Sequence, residues 1–519
     1  MWQHTGSGPS ALSSRGGAEL AALNIKVACL LAFAVVTACG AGSTPSPDAG
    51  SNGGSQDAGA PPAISSFTAS PTVLPAGGGT VRLAWTVAGA TSLSIDQGVG
   101  DVSSLSSASV NVSASTLWTL TANNASGFTT LTASVTVPAS ITVAGNVLGD
   151  NEVPAVAVQV LITGFAPVNT DSQGSFAIPG VTPPYDITVI DSIQKVTTTY
   201  QGLTRADPTL VFLATEGVAQ QATLSGTITG GDATDPIGFL YDSGNGVFAS
   251  GNSFSMAASW YGSPFFSGTL RALQMTLDPV TRLPTGYPGY GEVSGQTVSS
   301  GSSLANINIS LSAISTVPIA GGVSTAADYA LVDNSVFVFF PSGADWELLT
   351  DTAPSNSFSY ILPVIPSATY AVQAHVSCAG IADVWAVQAG VPGGTTDLSL
   401  SIPPGPALVL PENAVSSITA GSSFSWAAMP GAIHIASFSP GNAAQPAYTV
   451  VTAGSQARIP DLSSAGLGLP SSAQYSWYVI GLAPLSSVDA FATPSGLAVL
   501  SGSATGAQGV TASRSFTTQ

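Results

Sequence analysis

Charge is what this sequence has least of. Only 7% of its 519 residues are Asp, Glu, Lys or Arg, against roughly 25% in ordinary soluble proteins. Basic residues are the scarcer kind, 9 against 27 acidic ones, for a formal net charge of −18. A chain this acidic repels phosphate backbones and anionic head groups, which excludes nucleic acid as a partner. Histidine is nearly missing beyond residue 38, where only His375 and His434 remain, and Lys195 is the one lysine there. General acid–base catalysis leans on such side chains, so their scarcity argues against an enzyme. No Gly-x-Ser-x-Gly elbow, His-Glu-x-x-His, EF-hand pattern or P-loop is present either. The apolar run from Val27 to Val36 has ten residues, half of the roughly 20 that a spanning helix needs. What is plentiful is apolar and β-branched: 45% of residues are hydrophobic, too many for a disordered chain. Ser, Thr, Ala and Gly stand where Lys and Glu usually would, which suits the solvent faces of β-sheets.

Arg15 and Lys26 precede the apolar run, and Val36-Thr37-Ala38-Cys39 closes it. A basic segment, a short apolar core and small residues before the cut describe an export signal. Met1 to Glu19 look unlike such a signal and suggest a start of translation further downstream. The cysteine directly after Thr37-Ala38 makes the segment resemble the signal of bacterial lipoproteins. That resemblance implies a thioether-linked diacylglycerol on Cys39, which becomes the mature N-terminus; two or more acyl chains anchor stably. Gly40 stands where an Asp would resemble an inner-membrane retention signal, so the expectation is a lipid-anchored outer-membrane protein facing the cell exterior. With Cys29 removed and Cys39 lipidated, Cys378 is alone and no internal disulfide forms. Residues 41–62 are Ser, Pro, Gly and Ala with almost nothing to bury, a flexible spacer off the bilayer.

Beyond the spacer the pattern is all-β: tandem antiparallel β-sandwich modules. Over 64–138, Val81, Leu83, Trp85 and Val87 alternate with polar or small residues, as do Leu131, Ala133, Val135 and Val137, and Trp118 and Leu120 open a further strand. Period-two alternation buries one face of each strand. The wording AWTVAGATSLSIDQGVG with WTLTANNASG resembles bacterial immunoglobulin-like domains, without the paired cysteines of antibody domains. Three related units follow, over 139–215, 216–315 and 316–403. Each opens on an apolar-x-Gly-x-apolar strand centred on Gly145, Gly226 or Gly321, and each has a Ser-Phe step, at Phe176, Phe254 and Phe358. The first and third close on similar strands, Tyr185 to Val189 and Tyr370 to Ala374; the middle unit departs there. With Pro154, the turn from Thr170 to Phe176, and Pro184-Tyr185, the first unit resembles carboxypeptidase regulatory-like domains. The resemblance implies a transthyretin-like sandwich with a structural role. The last unit, 404–519, has strands around Phe424-Ser425-Trp426 and Tyr475 to Val479, and resembles fibronectin type III domains over about half its length. At roughly 100 residues per sandwich, five modules fit the chain.

Candidate chemistry is thin. His375 with Cys378 would be a base and nucleophile, but alternation from Tyr370 puts Cys378 with Val372, Ala374 and Val376, and His375 on the other face. His434 between Ile433 and Ile435 reads as an exposed edge residue. Asp232 with Asp235, and Asp242 with Asn245, supply too few oxygens for Ca²⁺ and read as turn residues. Aromatics crowd the middle unit: Trp260, Tyr261, Phe265, Phe266, Tyr287 and Tyr290. Either they form the core of a larger sandwich, or Gly286 to Gly291 is a loop presenting Tyr287 and Tyr290 to a glycan or protein ligand. Of these, Tyr287 and Tyr290 are the candidate ligand-binding residues. No cofactor or metal is expected. The functional expectation is a non-catalytic surface lipoprotein for adhesion or display, with the last module at the tip of a rigid array as its contact site. Alternatives are a carbohydrate- or protein-binding subunit of an envelope complex, and an unrecognised hydrolase.

Overall fold

The structure is a computed structural model, and it describes residues 60–74, 78–149, 153–212, 218–231, 234–244 and 246–519. Strands dominate throughout, and helix is confined to Val488–Phe491 and Pro494–Leu500 with one short 3-10 turn. The first sandwich packs a three-stranded sheet on a four-stranded one. Most of its alternation holds: Val81, Leu83, Trp118 and Leu120 are fully buried, Ala133 and Val135 are buried, and Val87 is half-buried against them, but Leu131, read with that face, is exposed.

The three related units share one topology. In each, the Gly-centred strand lies between the Ser-Phe strand, antiparallel, and a closing strand, parallel: Ser175–Val181, Ile141–Leu148, Thr209–Val211 in the first; Ser253–Tyr261, Ala219–Thr229, Ser303–Ser310 in the second; Ser357–Pro363, Thr316–Thr325, Leu398–Ile402 in the third. The motif glycine has a common physical cause. A Cβ on Gly145 would meet the Pro208 carbonyl oxygen at 2.2 Å, one on Gly226 that of Ile307 at 1.7 Å, and one on Gly321 that of Leu398 at 2.4 Å. Backbone passes over backbone there, which only glycine admits. The Ser-Phe rings fill the space beneath, all of them buried. In the middle unit the long strand Phe265–Leu277 takes the place that Tyr185–Asp191 has in the first.

The larger departure from expectation is how the units join. The last module does not extend the array. One 14-stranded sheet runs from the first repeat through the last module into the third repeat. Val196 to Tyr200 pair in parallel with Ala447 to Val451, and Ala382 to Val387 pair antiparallel with Gly506 to Thr511. The Lys195 ammonium donates to the Ala444 carbonyl at 2.7 Å. The Asp489 carboxylate accepts the Thr204 and Arg205 amides at 2.8 and 3.2 Å. Two edges that would be free in a string of separate sandwiches are thereby paired, which removes an aggregation hazard. The last module is therefore wedged between two repeats rather than placed at a tip.

Its interior is aromatic. Phe424 lies 4.7 Å from Phe438, 5.0 Å from Trp477 and 5.2 Å from Phe516 between ring centroids, all fully buried. Edge-to-face pairs of this kind add to area burial. That matches the strands read around Phe424-Ser425-Trp426 and Tyr475 to Val479.

Candidate functional site

Cys39 lies outside the described residues, as do Asp232 and Asn245. Tyr287 and Tyr290 are not in a loop. They belong to a 16-residue strand, Pro284–Ser299, and are 3% and 8% exposed in the core shared by the second and third repeats. The glycines that suggested a turn serve close packing instead. A Cβ on Gly291 would meet the Ser310 carbonyl oxygen at 2.4 Å, and one on Gly289 the Leu311 Cβ at 3.1 Å. The Tyr290 hydroxyl donates to Glu292 at 2.6 Å. Two core tyrosines cannot receive an external ligand without unpacking the repeats, so the loop expectation is corrected.

Asp242 is likewise no solvated turn residue. It forms a buried ion pair with Arg271, accepts the Ser342 hydroxyl at 2.7 Å and the Thr269 amide at 2.8 Å. The Arg271 guanidinium sits 4.0 Å from the Phe340 ring centroid. Ser342 and Phe340 come from the third repeat, so this pair fastens two units together. Asp235 accepts the Thr276 hydroxyl at 2.6 Å. No group of three or more His, Cys, Asp or Glu that could hold a metal occurs among the described residues.

His434 is also corrected. It stands on Ile433–Pro440, flanked on both sides by paired strands, and is 1% exposed. Its Nε2 accepts the Met429 amide at 3.1 Å. Burial pushes the imidazole down to about 4, because desolvation disfavours the cation. The flanking isoleucines alone suggest an edge; the partners Thr452 and Gly481, on strands to either side, place the residue inside the sheet.

His375 behaves as alternation requires, but Cys378, at the strand's end, is only half-buried and lines a cavity beside Gln373 and Ser377 rather than the core. Val372, Ala374 and Val376 are fully buried, and His375 faces the other way. Its Nδ1 is 3.0 Å from Asp333 Oδ2, and its Nε2 is 3.6 Å from Asp383 Oδ1. The imidazole thus lies between two carboxylates with no hydroxyl or thiol to activate. It stacks on the indole of Trp385, with centroids 4.5 Å apart and planes 9° off parallel.

Trp385 marks the most developed site in the described chain. The strands Thr369–Cys378, Ala382–Val391, Gly506–Thr511 and Gln474–Ala483 run side by side in the long sheet. Register sets a row across them: Asp333, His375, Trp385 and Gln508 are successive cross-strand partners. Above this face lies a cavity of about 760 Å³, lined by Gln373, Asp383, Trp385, Tyr478 and Gln508 among others, with Val499 to Gly502, the end of the short helix and the turn after it, as one wall. The helix is started by Thr493, whose hydroxyl accepts the Gly496 amide, and Pro494 sits at its first turn, both standard N-terminal devices. Since the third repeat supplies one side and the last module the other, the cavity exists only because the sheet is continuous. Nothing in the sequence pattern brings residues 373–387 to residues 476–513.

No protein-family model matches this chain, and no curated protein matches it. Among solved structures, the chain is similar to the Bacillus anthracis TIE protein, at 12% identity over 67% of this chain and 75% of that one, with a TM-score of 0.15. It is also similar to immunoglobulin domains 1–5 of Sidekick-1, at 10% identity over 88% of this chain and 98% of that one, TM-score 0.15. A third likeness is to two B repeat units of the collagen-binding protein of Staphylococcus aureus, at 11% identity over 66% and 93%, TM-score 0.12. At identities and TM-scores this low, these likenesses carry no argument about what the cavity does. That rests on its own geometry.

Proposed function

We propose that this chain is a non-catalytic lipoprotein of the outer membrane, held by lipid on Cys39 and serving adhesion or display at the cell surface. The observation that carries the reading is Val36-Thr37-Ala38-Cys39 at the end of a ten-residue apolar run, followed at once by a spacer without core-forming residues. A spacer is of use to a body that must stand away from a bilayer. Beyond the first sandwich, the three repeats and the last module join through one long sheet and a shared core, and brace one another as a ligand-presenting part would. No helix among them is long and apolar enough to cross a membrane, so the lipid is the anchor this reading supplies. The histidine read as a candidate base stacks on Trp385, and its Nε2 is buried with no hydroxyl or thiol hydrogen-bonded to it, which supports a binding body over a hydrolase.

The cavity over Trp385 favours a second reading, a ligand-binding subunit within the envelope. Protease treatment of intact cells expressing the full chain, with mass spectrometry of the released peptides, separates the two. Release of peptides from residue 64 onward is expected. Protection until the outer membrane is breached would overturn the surface reading. Replacement of Cys39 by Ser should shift the protein out of the membrane fraction; retention there would refute the lipid anchor.

A further inference from the structure

We propose that the cavity above Trp385 binds a neutral saccharide, with the indole as the stacking platform. This deepens the surface reading and depends on it only for where the sugar is met; binding itself is a property of the chain. The platform is held in place beforehand. His375 covers one indole face, and Asp333 fixes the imidazole at 3.0 Å. On its other side Trp385 is paired with Gln508, and both residues line the cavity. A ring fixed before binding loses little conformational freedom when it is used. The C–H faces of a pyranose are apolar and suit an aromatic plane, while its hydroxyls need groups that both donate and accept.

Those groups surround the ring. Gln373 and Gln508 line the cavity, and neither amide is engaged in a side-chain hydrogen bond among the described residues. Each offers a carbonyl acceptor and two donors. Asp383 adds a carboxylate, with the His375 Nε2 at 3.6 Å, beyond hydrogen-bond reach. Tyr478 adds a second ring. Charge narrows the ligand further. No lysine or arginine lines the cavity, and the chain's net charge is −18, so uronic acids, sulfated glycans and phosphates are repelled. A volume of about 760 Å³ is within the range of small-molecule sites and is more than a single ammonium group would fill. Polar amides beside an aromatic ring that lines the cavity, without a lysine or arginine, fit an uncharged oligosaccharide.

The test is isothermal titration of the full-length chain, in a non-glycosidic detergent, with maltohexaose, cellohexaose, xylohexaose and chitohexaose in turn. One-to-one binding of at least one of the four is expected. Trp385→Ala should weaken it about tenfold or more, equivalent to roughly 1.4 kcal/mol; Trp385→Phe should keep part of it. Because Trp385→Ala also removes a stacking partner of His375, Gln373→Ala and Gln508→Ala serve as variants that leave the ring pair intact, and each should weaken binding several-fold. No heat with any of the four sugars at millimolar concentration would overturn the proposal. So would unchanged affinity in Trp385→Ala and both glutamine variants, or displacement of the sugar by heparin or a lysine-rich peptide. Sugar binding by a protein that proves periplasmic would leave this site standing and overturn only the surface reading.

Discussion

Acid should act on this protein through two buried groups whose effects oppose each other. Burial holds His434 at about 4 in the folded chain, against 6.5 for a free imidazole. Between those values the unfolded state binds the extra proton, so His434 contributes stability that is complete above about 6.5 and is lost as the pH falls toward 4. The loss is about 3 kcal/mol. Asp345 is displaced the other way: burial pushes its carboxyl up to about 6 from 3.8. Here the folded state holds the proton, so stability is greatest below about 4 and is lost as the pH rises through 6. After allowance for its partial exposure the effect is about 2 kcal/mol. Between pH 4 and 6 the two slopes largely cancel in the native protein. His434→Gln should therefore become more stable on acidification from pH 7 to 4, relative to the native protein, and Asp345→Asn less stable by the same comparison. Urea unfolding followed by tryptophan fluorescence gives the readout: the Trp426 ring lies 5.6 Å from His434, and Trp346 adjoins Asp345 in sequence. Carboxylates such as Asp242 and Asp489, both held below the usual range, contribute equally to all variants and drop out of the differences. Parallel acid profiles for the native protein and both variants would refute the reasoning. Two separate transitions, each shifted by only one substitution, would show that the long sheet does not unfold as one unit.

Gly226→Ala places a Cβ 1.7 Å from the Ile307 carbonyl oxygen and should cost about 2–3 kcal/mol, read from the urea midpoint; a neutral result would refute the close-approach account of the repeat motif. Arg271→Ala strands the buried Asp242 carboxylate and should cost about 3–5 kcal/mol, whereas Arg271→Met with Asp242→Leu should recover much of that. Tyr287→Ala or Tyr290→Ala should destabilise the protein by about 3–5 kcal/mol, as for other large buried aromatics. Undiminished stability in either variant, measured by thermal unfolding, would return these tyrosines to the surface.

What the sequence made legible is whatever repeats within reach of a strand and its turn. Period-two alternation found the faces of Val81, Leu83 and Trp85, and set His375 apart from the buried Val372, Ala374 and Val376, because a strand's two faces are local geometry; Cys378 escaped it at the strand's end, where the alternation lapses. The turn from Asp171 to Ser175 was equally local: Asp171 accepts the Gln173 and Ser175 amides, and Gly174 has a φ of +72°. The Gly286 to Gly291 stretch failed for a physical reason. Glycine marks either a turn or a place where another chain passes close, and composition does not tell the two apart. His434 failed because burial is decided by partners far along the chain. The middle repeat, which seemed to break the pattern, keeps it once Phe265–Leu277 is seen in the sheet.

The cavity is the limiting case of that argument. Its platform, Trp385, belongs to the third repeat, and its facing residues, Tyr478 and Gln508, to the last module. They meet because Gly506–Thr511 completes an edge that the third repeat leaves open. The same closure on the other side, between Val196–Leu203 and Ala447–Thr452, fixes the last module against the first repeat. A module wedged in this way cannot reorient without breaking two rows of backbone hydrogen bonds, each costly to leave unmade. The site therefore stands on a sheet paired on both sides of the last module, and its shape should be the same free and occupied. That is the arrangement in which a single stacked indole and two amides suffice, because no part of the binding energy is spent on ordering the site.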